Sequence, residues 1–201
     1  MHASLQPVRT IRLKLRCALV SSAIALLTLL SPPCFGQSKT AFTPNDLEAA
    51  YLYNFGKFVQ WPAAPGTASQ PFSICILGQD EFGSRLDDLV AKEDIAGRKI
   101  VTRRLASADT AENCQIVFIG NSEDARLSKD LDALNKKPLL TVSSLPQFLD
   151  HGGMIQFILQ DNHVRFAVNL AAAQTAGLSP GSELLKVAVY VKRNPPAEAK
   201  P

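Results

Sequence analysis

The stretch from Ala49 to Pro62, AAYLYNFGKFVQWP, limits the possible folds more than any other part of the chain. It holds two of the three tyrosines and the only tryptophan, and Lys57 is its single charge. Leu47, Tyr51, Phe55 and Phe58 form one stripe at helical spacing. Leu52 and Val59, with Phe55, form a second stripe beside it. A helix apolar over so much of its surface must be buried or docked on something. Start signals precede it: Thr43 as N-cap, Pro44 at the first helical position, and Asp46 and Glu48 at the positive end of the helix dipole. Pro62 disfavours helical angles at Trp61, so the helix is expected to run up to that point.

The chain has 201 residues, enough for one domain. Its first 36 residues read as a leader rather than as fold. Arg9, Arg12, Lys14 and Arg16 make a basic region, and Cys17 to Leu30 is apolar. The apolar run falls short of the roughly 20 residues of a spanning helix. Small Gly36 offers a cleavage site, which predicts a signal peptide over 1–36 and an exported, periplasmic product that does not itself span the membrane. Without those four basic residues the net charge changes from +3 to −1. The basic balance therefore belongs to the leader and gives no support for nucleic-acid binding. Cys17 and Cys34 leave as well. Cys75 and Cys114 remain, and two cysteines in an exported chain suggest one disulfide, the alternative being two buried thiols.

Along the mature chain, apolar runs alternate with helical patterns. Strands are expected at Phe72 to Leu77, Lys99 to Leu105, Cys114 to Ile119 and Leu139 to Val142. Asp80 is expected to cap a helix bearing Phe82, Leu86 and Leu89, and Ser122 one bearing Leu127, Leu131 and Leu134. Gly152-Gly153 opens a hairpin with arms Met154 to Leu159 and Val164 to Asn169. Asn169 caps a short helix that Gly177 stops. Ser179-Pro180 starts a last helix, whose end, Val187 to Val191, reads equally as a strand. The order predicts an α/β fold: a mainly parallel sheet flanked by helices, with an antiparallel hairpin near the C-terminus. The domain is expected over 43–192, with a disordered tail over 193–201.

The usual signatures of catalysis are missing. Gly78 and Gly83 have phosphate-loop spacing, but Ser84-Arg85 stands where Lys-Ser/Thr is needed. No G-x-G-x-x-G and no G-x-S-x-G occurs. His151 and His163 fall in turns, too few and too scattered for a metal centre. Arg98, Lys99, Arg103 and Arg104 suit a solvated edge strand. The expectation is a non-enzymatic protein with no cofactor and no metal.

The motifs AAYLYNFGKFVQWP, FSICILG, CQIVFIG, PLLTVSS, GGMIQFIL and VRFAVNLAAAQTAGL, in this order from about Asp46 to about Val189, resemble the YfiR family of periplasmic proteins. The resemblance implies an α/β fold, dimerisation and no catalysis. It also implies a repressor that binds the periplasmic part of an inner-membrane diguanylate cyclase, or a similar membrane signalling protein, and so limits cyclic di-GMP synthesis and biofilm formation. Cys75 and Cys114 match a cysteine pair of that family. A second pair near the Gly-Gly turn has no counterpart, so regulation through a second bridge is ruled out. Ala167 stands where the family carries an acidic residue. The alternative reading is a small-molecule-sensing module with a ligand cleft at the strand C-termini. For a partner surface the expected contacts are Phe58, Trp61, Met154, Phe157 and Arg165, because aromatic and arginine side chains anchor interfaces and methionine adapts to them.

Overall fold

The computed structural model describes residues 43–62, 69–135 and 137–193. The expected leader, the lead-in to the first helix and all but Arg193 of the tail lie outside them. Helix α1 spans Pro44–Phe58. Thr43 caps it in a reciprocal box: its hydroxyl accepts from the Asp46 amide, and Asp46 accepts from the Thr43 amide at 2.7 Å. The helix stops four residues before Pro62, because Val59–Gln60 is drawn out as a short strand, β1. Of the two stripes, Leu52, Phe55 and Val59 are buried, together with Ala49 and Gly56. Leu47 and Phe58 of the other are exposed.

Strand β2 (Phe72–Leu77) is buried at every residue. After it come α2 (Ser84–Val90), β3 (Asp94–Ile95) and β4 (Arg98–Leu105). Then follow β5 (Ile116–Ile119), α3 (Leu127–Leu134), β6 (Leu140–Ser143) and the hairpin β7 (Ile155–Gln160) and β8 (His163–Asn169). The chain closes with α4 (Leu170–Thr175), β9 (Ser179–Pro180), α5 (Ser182–Val187) and β10 (Tyr190–Lys192). Eight strands form one sheet in the order β10-β8-β7-β6-β5-β2-β4-β3. All neighbours are parallel except β7 with β8 and β3 with β4. This is the expected α/β architecture with its antiparallel hairpin. The hairpin turns through Asp161 and Asn162, both at positive φ (49° and 60°), the backbone of a tight two-residue loop.

Alternation along the central strands builds two cores. Ile74, Ile76 and Phe118 face α1, α2 and α5, whereas Cys75, Leu77, Val117 and Ile119 face α3. Helices on both faces explain why β2, β5 and β6 read as unbroken apolar runs. Several local expectations are corrected. Phe82 precedes α2, and Asp80 caps the turn before it by accepting from the Phe82 and Gly83 amides. Ser122 lies inside a 3₁₀ segment and accepts from the Gln79 amide. Ser179–Pro180 pairs with Val59–Gln60 instead of starting a helix. At the chain end the strand alternative holds, since Tyr190–Lys192 pairs in parallel with β8. The edge expected at β4 is partly covered by β3, which reaches only Arg98 and Lys99.

Candidate interaction surface

An aromatic lattice seats α1 on the hairpin. The Phe55 ring lies 5.8 Å from Phe157 and 5.1 Å from Phe166, and Tyr51 meets both at 5.9 and 5.3 Å. This placement corrects part of the expected partner surface. Phe157 (3% exposed) and Met154 (8%) are core residues with almost no area to offer a partner. Phe157 points from β7 into the core under α1, and Met154 lies just before β7, where its amide donates to the Thr141 hydroxyl. Phe58 stays 45% exposed. Trp61 is half-buried, edge-on to Phe72 at 5.1 Å, and its indole N–H donates to the Gln115 carbonyl. Arg165 is exposed, on the sheet face opposite Phe166. The five residues therefore do not form one patch: Phe58 and Arg165 belong to different faces.

Other residues join Phe58. Among the described residues the exposed large apolar side chains are Leu47, Phe58, Leu159, Val187, Val189 and Tyr190. Leu47 and Phe58 are on α1, Val187 is on α5, Val189 and Tyr190 are at the entry to β10, and Leu159 is near the hairpin tip; Tyr190 pairs with Ala167 and so shares the sheet face of Arg165 rather than that of Phe58. A groove of about 290 Å³ runs between α1 and α5, lined by Tyr51, Asn54, Phe58, Phe166, Leu184 and Val187. The groove is mostly apolar, although Glu183, ion-paired with Lys186, also lines it, and Phe58 and Val187 are its exposed apolar members. The β1–β9 clasp and a bond from the Gly181 amide to the Phe58 carbonyl (2.8 Å) hold α5 against α1. The sequence signal for this flank was the apolar run Val187 to Val191. Only the placement of α5 beside α1 turns that run into part of a surface.

The other side of α1 borders a cleft of about 760 Å³ lined by Tyr53, Lys57, Trp61, Glu93 and Arg98. The Tyr53 hydroxyl donates to Glu93 at 2.6 Å and accepts from Lys57 at 3.3 Å. Phe72 and Arg98 open β2 and β4, so this cleft lies at the N-terminal ends of those strands. The C-terminal ends, where a ligand cleft was expected, are filled by the chain itself. Ser122 bonds to the Gln79 amide, Glu81 accepts from the Asn121 amide, and a Cβ on Gly78 (φ +89°) would collide with Ser122 and Glu123. Glu48 also lies there, buried, accepting from the Ser144 hydroxyl at 3.0 Å.

The basic group on β4 is mostly used within the chain. Arg98 donates to the Gln70 and Pro71 carbonyls, Arg103 to the Glu112 carbonyl, and Arg104 bridges Asp80 and Asp87. The Arg104 hydrogen bond holds the Asp87 carboxyl below its usual range. Cys75 and Cys114 form a disulfide with Cα atoms 6.0 Å apart, linking β2 to the segment before β5. Ala167 is buried against the second core, so an acidic side chain there would have no water. Among the described residues no group of three His, Cys, Asp or Glu could hold a metal, and no helix is long and apolar enough to cross a membrane.

Fold and surface together define an α/β domain with exposed apolar side chains beside the α1–α5 groove. The chain belongs to the YfiR/HmsC-like family, whose model matches residues 45–189. That family is periplasmic and generally made up of non-enzymatic regulators. No curated protein matches the chain. Among solved structures it is similar to a conserved domain protein from Vibrio cholerae O1 biovar El Tor, at 12% identity and TM-score 0.53, over 75% of this chain and 61% of that one. It is also similar to an ABC domain from Streptococcus pneumoniae in complex with L-Trp, at 11% identity and TM-score 0.50, over 74% and 60%. The chain thus spans about three fifths of each of these structures, and at such identities the likeness is one of fold.

Proposed function

We propose that this chain is exported to the periplasm, with residues 1–36 as a cleaved signal peptide. There the 43–192 domain binds the periplasmic part of an inner-membrane diguanylate cyclase, or a similar membrane signalling protein, and represses it without catalysing a reaction. The outcome is less cyclic di-GMP and less biofilm. The observation that carries this reading is the pair of exposed apolar side chains, Phe58 and Val187, at the mouth of the α1–α5 groove. Water penalises such a patch unless something covers it, so it marks a contact surface. Arg165 and Trp61 are proposed as further contacts on neighbouring faces, and a homodimer through the same flank competes for it.

The test is made in cells carrying the chain and its cyclase. Phe58→Asp with Val187→Asp should leave the protein folded and periplasmic while cyclic di-GMP rises as far as on deletion of the gene. Unchanged cyclic di-GMP after deletion itself overturns the reading. A second reading, a small-molecule-sensing module, is favoured by the 760 Å³ cleft beside Trp61, which is within the usual size of ligand sites. Ligand that copurifies with the protein and is lost on Trp61→Ala would support it.

A further inference from the structure

A separate cavity lies where the sheet opens between β6 and β7. These strands pair only at Val142 with Ile155 and at Ser143 with Gln156. Ahead of that point the Met154 amide turns to the Thr141 hydroxyl, at 3.1 Å. A space of about 250 Å³ is left between the C-terminal ends of α3 and α4. Leu134, Met154 and Ala176 give it apolar walls, and Asp132, Asn135 and His151 stand at its polar side.

Among the described residues that line this space the one carboxylate is Asp132, and the His151 imidazole lines it as well. Asp132 has neither an ion pair nor a side-chain hydrogen bond among the described residues. No described Lys or Arg lines the cavity. Helix α3 ends at Leu134, so the negative end of its dipole falls at the same place. A cation is favoured there over an anion, and the apolar walls favour a short hydrocarbon stem. Metal ions fit poorly, since one carboxylate and an amide are too few ligands.

We propose that this cavity binds a primary alkylammonium group, its nitrogen at Asp132 and its stem against Leu134, Met154 and Ala176. The same chemistry is presented by a free amine and by a lysine side chain of another protein. The site is independent of the apolar flank and stands or falls separately from the regulatory reading.

The probe is n-butylammonium chloride, titrated calorimetrically and by thermal melting against 1-butanol, sodium butyrate and equal sodium chloride. At 100 times its Kd the probe should raise the melting temperature by roughly 5–10 °C, and the three controls should not. Asp132→Asn, at an exposed position outside the core, should cost roughly tenfold or more in affinity. Ala176→Phe fills the cavity and should abolish binding; where it also unfolds the domain, Asp132→Asn alone decides. Nα-acetyl-lysine methylamide separates the two sources: binding equal to that of the probe assigns the site to lysine side chains, and binding of the probe alone assigns it to free amines. No response to n-butylammonium, or equal affinity in wild type and Asp132→Asn, overturns the proposal.

Discussion

Replacing Glu48 with Gln should stabilise the domain above neutral pH and change little at pH 5. Glu48 lies on α1 but faces inward, 8% exposed, where the strand C-termini meet the helix. Burial strips water from its carboxylate, and the nearby charge of Glu81 adds repulsion. Together these push its pKa up to about 7 from an ordinary 4.5, against the opposing effect of the Ser144 hydrogen bond. In the unfolded chain the proton leaves near the ordinary value; in the folded chain it stays until about pH 7. Between those two values the native state binds more protons, so stability falls as pH rises. The fall is complete once pH passes the folded pKa and amounts to about 3 kcal/mol, at about 1.36 kcal/mol per pKa unit. Glu48→Gln keeps the shape and an oxygen for Ser144 but never ionises, so this loss should vanish. Urea unfolding of both proteins from pH 5 to pH 8 measures it. The wild type should lose stability relative to the variant across that range. Parallel curves would show that Glu48 ionises freely in the folded protein and would refute the argument.

The remaining predictions concern the bridge and the aromatic residues. Cys75→Ser removes a cross-link closing 39 residues, worth roughly 4 kcal/mol on the chain-entropy account. Calorimetry should show a fall in melting temperature of roughly 8–16 °C for a domain of this size, and an unchanged melting temperature would contradict it. Phe157→Ala should cost roughly 3–5 kcal/mol, as for any buried aromatic, whereas Phe58→Ala should stay within about 1 kcal/mol. Denaturant titrations of the two variants check this, and a large loss from Phe58→Ala would place that residue in the core.

Much of the fold was legible because it rests on local chemistry. The capping box at Thr43, the Asn169 cap and the apolar runs of β2 and β5 need no distant partner to be recognised. Boundaries were less legible. Helix α1 ends at Phe58 rather than at Trp61 because Ser179 and Pro180, some 120 residues away, pair with β1. The same pairing turned an expected helix start into a strand. Both misreadings share one cause: a long-range pairing outweighs local preference.

The surface was legible only in part. The aromatic character that singled out Phe58 as a contact singled out Phe157 in the same way, and adaptability added Met154. Apolar side chains look alike in sequence, whether a sheet covers them or water does. The residues from Thr43 onward were sufficient to specify an α/β domain, a cysteine pair able to bridge and a first helix that needs cover. Tertiary structure alone decided which faces of that helix the hairpin takes, which one α5 leaves open, and that Glu48 is buried. Burial is a property of what lies opposite a side chain, and what lies opposite arrives from far along the chain.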